Sequence, residues 1–477
     1  MNDRSLLPRG LIKELEARFE GYSWEIVKSS SKRSVYHLIR EGYPGIYLKV
    51  CHPGGFFQRI RNLVFPRTRI EANMLNKLAS KGIAVAEVLG HFRCGTSSAI
   101  AVREVEGNRL LISFERDFQE RVLFSVTRDF LERGFVHHDL HPGNILIDEN
   151  SNYVLIDCYE VRNKSSVGVS NRVRSFASAA AVFGTSMPAL KTLIPDESEG
   201  THRAVVEMAG NIRRKRVERW IRRSLLDGSF SRIENNADYQ AVVKREETPD
   251  LKKIIDIHGK NLSKGSNLLK VQEKTQVSIA GEYCVKSYKS SPLFLEPYAR
   301  RSWKGSLVLM FNGFRVAEPV ACIVFRDRSS MLVSRKLDYP QLDRILDSGG
   351  LTETERKTLA GTIGRTVGMM HMSGIFHADM KACNIFMDTE RNEAVFIDTD
   401  RVVQSSRVSR KKRLRNLMQI GLSIPRRFAM ESGRDMIDAY AALTGDDAQY
   451  LIDELKRRMK GKEVIYTTEN GDRFEIF

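Results

Sequence analysis

The chain has 477 residues, with 76 Lys+Arg against 59 Asp+Glu, a formal net charge of +17. Hydrophobic residues make up 42% and charged residues 28%, and Gly (33) and Pro (13) are ordinary, which excludes disordered, collagen-like and low-complexity chains. A single core stops growing near roughly 250–300 residues, so at least two domains are expected, and the positive excess calls for an anionic partner: nucleic acid, an anionic membrane surface or a phosphorylated substrate.

Cys51, Cys94, Cys158, Cys284, Cys322 and Cys383 form no CxxC pair. They read as packing thiols in a reducing compartment, not as a disulfide or zinc framework. No apolar run reaches the roughly 18 residues of a bilayer span, and the N-terminus lacks a signal-peptide apolar region. The expected location is cytoplasmic, at most peripheral to a membrane.

In chain order, a β-rich stretch covers 24–40, and Gly45-Ile46-Tyr47-Leu48-Lys49-Val50 reads as a strand bearing Lys49. Helices are predicted over 69–80 and 118–133. Next come Phe135-Val136-His137-His138-Asp139-Leu140-His141-Pro142-Gly143-Asn144, three apolar residues and Asp148, then Tyr153-Val154-Leu155-Ile156-Asp157. After a basic helical stretch, Asp227-Gly228-Ser229 breaks the pattern. The order then recurs: a β-rich stretch over 268–280, a strand bearing Lys286, and helices over 298–310 and 354–373. These lead to Ile375-Phe376-His377-Ala378-Asp379-Met380-Lys381-Ala382-Cys383-Asn384 and later Ala394-Val395-Phe396-Ile397-Asp398.

Asp139 and Asp379 are 240 residues apart, half the chain, and each follows its strand lysine by a similar distance, 90 residues from Lys49 and 93 from Lys286. The expectation is therefore two copies of one α+β domain, 1–228 and 229–477, each a small β-rich lobe followed by a larger helical lobe.

Phosphoryl transfer from ATP relies mostly on positioning and charge neutralisation. A lysine steadies the α- and β-phosphates, a carboxylate and an amide oxygen hold Mg²⁺, and a second carboxylate takes the acceptor's proton. Lys286, Asp398 with Asn384, and Asp379 suit these roles in the second copy; Lys49, Asp157 with Asn144, and Asp139 suit them in the first. The spacing of five between base and Asn lets one loop face both metal and acceptor, and an apolar strand before each last Asp can hold a metal ligand rigidly. Mg²⁺ favours such oxygen donors. Asp residues as turn formers or helix caps are the bland alternative, and two matches at matching spacing weigh against it.

This arrangement resembles the protein-kinase-like superfamily in both halves. The second copy is similar to the bacterial lipopolysaccharide core kinases of Kdo and heptose, through His377-Ala378-Asp379 to Asn384-Ile385 and Phe396-Ile397-Asp398-Thr399-Asp400-Arg401, with Arg415-Asn416-Leu417 downstream. The first, His138-Asp139-Leu140-His141-Pro142-Gly143-Asn144, resembles loops of small-molecule and atypical kinases. The resemblance implies two tandem protein-kinase-like domains and ATP- and Mg²⁺-dependent phosphorylation of an inner-core sugar of a lipopolysaccharide glycolipid at the cytoplasmic face of the inner membrane. Another small-molecule or protein kinase, or a tandem chain with one pseudokinase scaffold, is the alternative.

The kinase pattern also pairs the strand lysine with a helix glutamate. Glu71 fits in the first copy; Ser302 stands at the equivalent place in the second, unless Glu296 substitutes. Neither copy has a GxGxxG loop; Ser29-Ser30-Ser31-Lys32 and Glu273-Lys274-Thr275 occupy the corresponding turns. His138 and His377 read as braces of the catalytic aspartates, Lys381 as a phosphate contact or a solvated lysine, and Cys383 as packing. Most of the +17 lies in 201–227 and 401–427. There Val217, Trp220, Ile221 and Leu225, and Leu414, Leu417, Met418 and Leu422, each mark one helix face. Such stripes are core as a rule, with the basic side facing solvent or anionic headgroups. Nucleic acid would explain the charge but not the repeated carboxylates, so it is not expected.

Overall fold

Short amphipathic strands precede long helices twice along the chain, and the computed structural model divides accordingly into two compact units, 1–209 and 210–477. It describes residues 8–29, 33–52, 55–105, 109–148, 150, 152–164, 166–185, 187–348, 350–468 and 471–476. The division falls within the helix Glu199–Ser224, upstream of the Asp227-Gly228 break proposed from the sequence.

In the first unit, period-two burial builds the sheet. In Arg33–Arg40 the side chains of Ser34, Tyr36 and Leu38 are buried, while Arg33, Val35 and His37 are half-buried and Ile39 is exposed. This strand lies between Ser23–Ser29 and Tyr43–Cys51, and the antiparallel sheet continues through Ser97–Arg103 to Val88–Cys94. The helix Arg9–Arg18 closes one face, its Leu11 and Leu15 packing in a core with Leu38, Leu48 and Phe92. The predicted helices appear as Arg67–Ala79 and Arg116–Glu132. Phe124 stacks on Phe176 of the helix Val169–Phe183 at 6.1 Å, and the Ala-rich run there is a buried face.

The second unit carries a seven-stranded antiparallel sheet. Its order is Ser231–Asn235, Tyr239–Lys244, Pro319–Phe325, Ser330–Arg335, Tyr283–Tyr288, Thr275–Ala280 and Leu268–Val271. The first two strands form a hairpin not predicted from the sequence, and the helix Leu251–Lys264 covers the sheet through Leu251 and Ile254. Tyr298–Phe311 and Glu353–Met372 match the predicted helices; the latter starts on a capping box between Thr352 and Glu355. It lies so close to Arg426–Thr444 that a Cβ on Gly364 would stand 2.1 Å from the Met436 carbonyl oxygen.

Both basic helical stripes are core here except Trp220, which is exposed with its ring 5.0 Å from that of Phe311. Leu414, Leu417 and Val217 are buried in the helical core of the second unit, with Met418, Leu422 and Ile221 packed against it. Arg413 pairs with Asp446 at 2.5 Å and Arg410 lies over the Tyr450 ring at 3.9 Å. Among the described residues, no helix is long and apolar enough to cross a membrane.

Candidate active site

Each unit presents one loop–strand arrangement built from the same contacts. In the second unit, the Asp379 amide donates to His377 Nδ1 at 3.2 Å, and His377 Nε2 faces the Ile397 carbonyl at 3.4 Å. In the first, the Asp139 amide donates to His137 Nδ1 at 3.1 Å and His137 Nε2 faces the Asp157 carbonyl at 3.0 Å. An accepting Nδ1 makes Nε2 the protonated nitrogen, so each ring ties the loop to the strand end. Burial holds His137 neutral, lowering its pKa to about 4, and lowers that of His377 too. The brace in the first unit is thus His137, not His138. His138 is exposed and only its amide is tied, to the Glu160 carbonyl at 3.2 Å, because the x of His-x-Asp is the residue that faces away.

The asparagines close the same loops. Asn384 Nδ2 donates to the Asp379 carbonyl at 2.9 Å and to its Oδ2 at 3.3 Å; Asn144 Nδ2 donates to the Asp139 carbonyl at 3.1 Å. The Ile397 and Ile156 amides donate to the carbonyls of Asn384 and Asn144 at 3.0 and 3.2 Å. Residue five is therefore locked beside residue zero and next to the strand that ends in Asp398 or Asp157.

The lysines part company. Lys49 donates to Glu71 Oε1 at 2.6 Å and to the Ile156 carbonyl at 2.5 Å. Asp157 instead faces Arg33 at 3.5 Å. Burial would raise the Asp157 pKa, but the charges of Lys49, Arg33 and Arg67 hold it below the usual carboxylate range. In the second unit Ser302 lies in the first turns of the helix Tyr298–Phe311, as Glu71 does in Arg67–Ala79, and its hydroxyl is 2.7 Å from the Tyr288 hydroxyl. Glu296 does not substitute: it pairs with Lys304 at 2.5 Å. Lys286 meets Asp398 Oδ1 at 2.7 Å. Burial opposes its charge, yet Tyr288 and Asp398 raise its pKa. Burial likewise opposes ionisation of Asp398, and Lys286 overrides it, holding that carboxyl at about 2. Neighbouring Asp400 is pushed the other way, to about 6, by burial and by its hydrogen bond to Asp398, with Arg301 4.0 Å away.

Of the supporting residues, Asn416 is marked in the sequence only as part of Arg415-Asn416-Leu417, with no role, and Gln419 and Ser423 not at all. Asn416 reads as a polar helix residue, yet it is fully buried, donating to the His377 carbonyl at 2.6 Å and facing His371 Nε2 at 3.0 Å. Gln419 donates to the Ala378 carbonyl at 2.8 Å, and the Ser423 hydroxyl accepts from the Ala382 amide at 2.8 Å. The helix Arg410–Gly421 and the turn after it are thus the floor of the Asp379 loop; Asn and Gln on a basic helix were the available signal. Lys270, in the strand before the Glu273-Lys274 turn, adds positive charge near Asp398. Lys381 lies 3.3 Å from Asp379 Oδ1 and is half exposed. Burial pushes the Cys383 thiol up to about 11, which fits packing. The Ser30-Ser31-Lys32 turn lies outside the described residues.

The donor set of the second unit suits a hard cation. Asn384 commits its amide nitrogen to Asp379; its amide oxygen, 4.0 Å from the Cys383 sulfur, and the ionised Asp398 are oxygen donors of the kind such a cation takes.

Residues 284–446 match the model of the lipopolysaccharide kinase (Kdo/WaaP) family. That match covers about a third of the chain and includes Lys286, Asp379, Asn384 and Asp398. Residues 109–179 match the ABC1 atypical kinase-like domain, which takes in Asp139, Asn144 and Asp157. The chain is kinase-like in fold, with mixed helices and strands, and is a kinase by these family matches. No curated protein is similar enough to match it. Among solved structures, an aminoglycoside-3'-phosphotransferase of type VIII is 17% identical, over 42% of this chain and 90% of that one, with a TM-score of 0.29. The PknI kinase domain of Mycobacterium tuberculosis is 17% identical, over 36% and 73%, with a TM-score of 0.24. WbdD, solved with the kinase inhibitor LY294002, is 20% identical, over 42% of this chain and 48% of its own, with a TM-score of 0.27.

Proposed function

We propose that the chain is a tandem phosphotransferase, of two protein-kinase-like domains, that phosphorylates a sugar hydroxyl, of heptose or Kdo, in the lipopolysaccharide inner core, using ATP and Mg²⁺. The observation that carries this reading is the meeting of Lys286 and Asp398 at 2.7 Å, beside the loop that locks Asn384 to Asp379, within the segment that matches the lipopolysaccharide kinase model.

Asp398 and Asn384 would hold the metal in the second unit, and Asp157 and Asn144 in the first. When bound, Mg²⁺ neutralises phosphate charge and orients the nucleotide. Lys286, and Lys49 fixed by Glu71, steady the α- and β-phosphates. Asp379 and Asp139 orient the acceptor hydroxyl and accept its proton, each aspartate held by its histidine brace and its asparagine. Lys381, within reach of Asp379, adds charge where the transferred phosphoryl group moves. Lys270 extends that positive surface over the nucleotide side. The acceptor is a membrane glycolipid, which fits catalysis at the cytoplasmic face of the inner membrane.

Single Asp379→Asn and Asp139→Asn substitutions keep side-chain shape and remove the base. Mass spectrometry of the lipopolysaccharide core from cells carrying each should show a phosphate lost for every active unit. An unchanged core in cells carrying both would refute the reading. Loss with Asp379→Asn alone would assign the first unit a scaffold role.

A further inference from the structure

The helix Phe56–Val64 is inside out. Its one buried residue is the polar Asn62, whose amide reaches the Thr96 carbonyl and the Ser98 hydroxyl and whose oxygen accepts from the Arg67 amide at 3.2 Å. Its large apolar side chains face solvent: Phe56 at 72% exposure, Phe57 at 84%, with Ile60, Leu63, Val64 and the following Phe65 also exposed. Positions 56, 57, 60, 63 and 64 share one face of a helix. A surface helix of a soluble protein has the opposite arrangement, apolar side inward. Contiguous exposed apolar surface of this kind marks an interaction site.

Charge selects the partner. From Glu41 to Glu71 the sequence has no acidic residue between them, while Arg59, Arg61, Arg67 and Arg69 flank or punctuate the apolar face. Arg61 and Arg67 are set by Tyr159, at 3.2 Å from its hydroxyl and 4.0 Å over its ring, which ties the second half of this helix and the start of the next to one side chain. Large apolar residues with arginines along the boundary and no carboxylate are the signature of a helix lying in the plane of an anionic bilayer. The second unit repeats the exposed apolar pair at the same distance from its lysine, though with Glu296 nearby. Phe56 and Phe57 follow Lys49 by seven and eight residues, and Leu293 and Phe294 follow Lys286 by seven and eight, at 85% and 87% exposure. Arg328 holds that turn by donating to the carbonyls of Ser291, Pro292 and Leu295 at 3.0, 3.1 and 2.5 Å, so the two side chains are presented on a fixed backbone.

We infer that the helix Phe56–Val64 with Phe65 is an interfacial membrane contact that seats its apolar face among anionic lipid headgroups and acyl chains, and that the Leu293–Phe294 tip is a second such contact. The inference is separate from the phosphotransferase reading, because lipid binding is read without nucleotide or acceptor.

The test uses the full chain with vesicles of phosphatidylethanolamine and phosphatidylglycerol, and with phosphatidylcholine vesicles as the uncharged control. The parent should cosediment with the anionic vesicles, more weakly as salt rises. Phe56→Ser with Phe57→Ser should weaken binding by about tenfold or more, and Leu293→Ser with Phe294→Ser should weaken it further. Phe57→Trp, which keeps the apolar face, should show blue-shifted emission on anionic vesicles and none with phosphatidylcholine. Vesicle binding of the double serine variant within about twofold of the parent, or no blue shift of Phe57→Trp, overturns the inference. A blue shift that depends on protein concentration without lipid, together with a dimer by size exclusion, also overturns it and assigns the face to a second copy of the chain.

Discussion

Lys286 Nζ lies 2.7 Å from Asp398 Oδ1, while the corresponding Lys49 lies 2.6 Å from Glu71, on a helix rather than at the strand end. Asp398→Ala would leave the Lys286 ammonium buried without its partner. Full burial makes such a loss cost 3–5 kcal/mol as a rule; both side chains here keep about a fifth of their surface, so about 2 kcal/mol is expected. Denaturant unfolding should show this loss together with the left-handed backbone cost of Ala at 398, and Asp398→Ala combined with Lys286→Met should recover the ion-pair part only, while phosphate transfer by the second unit stays absent. A double variant no more stable than Asp398→Ala alone would show that the two residues are not coupled.

The different partners predict different sensitivities. Glu71→Gln keeps volume and removes the charge that fixes Lys49, so ATP affinity of the first unit should fall by about tenfold, near 1.4 kcal/mol, in titration calorimetry with Mg²⁺. Ser302→Ala, at the equivalent position, removes only a hydroxyl partner of Tyr288 and should cost about 1 kcal/mol of stability with no change in nucleotide affinity of the second unit.

Gly305 is a second point of leverage. A Cβ there would stand 1.9 Å from the Thr399 carbonyl oxygen, on the residue after Asp398. Gly305→Ala should cost about 1–3 kcal/mol and lower phosphate transfer by displacing the Asp398 turn. Gly259→Ala, in an open position on the helix Leu251–Lys264, meets nothing within 4 Å and should raise stability by about 0.5–1 kcal/mol. Thermal melts of both variants check the contrast.

Two buried histidines set an acid limit. Burial lowers both His137 and His371 from 6.5 to about 4. The unfolded chain therefore binds a proton at each below pH 6.5 that the folded chain refuses until about pH 4, so stability falls as pH drops through that window and is retained above it. Each histidine contributes about 3 kcal/mol to that loss by the usual conversion. Unfolding free energies measured from pH 7 to pH 4 should fall accordingly, and His371→Gln should flatten the dependence.

Much of this was legible in the sequence because it is local. His-x-Asp, the Asn five residues on and the apolar strand ending in Asp depend on short spacing, and the structure joins each of them by hydrogen bonds within one loop. Lys49 and Lys286 were found through strand pattern, and Glu71 through its place on the next helix. What escaped depends on the third dimension. Asn416 stands out in sequence within Arg415-Asn416-Leu417, but only its burial shows its role, which is to hold the His377 carbonyl. The hairpin Ser231–Asn235 and Tyr239–Lys244, just past the Asp227-Gly228 break, was not read from the sequence, because short alternating strands give a weak signal beside the helical stretch before them. The helix Phe56–Val64 was missed since its pattern is amphipathic in the wrong sense: apolar periodicity says a face exists, not which way it turns.

Asp398 stands in the left-handed backbone region, with φ 54° and ψ 55°. Side chains other than Gly, Asn and Asp adopt that conformation at a cost. Asparagine thus has the same shape and the same backbone tolerance, and it lacks only the charge. The change that silences this position chemically therefore leaves the turn's backbone unstrained, and its whole structural cost falls on the unpaired Lys286 across the site.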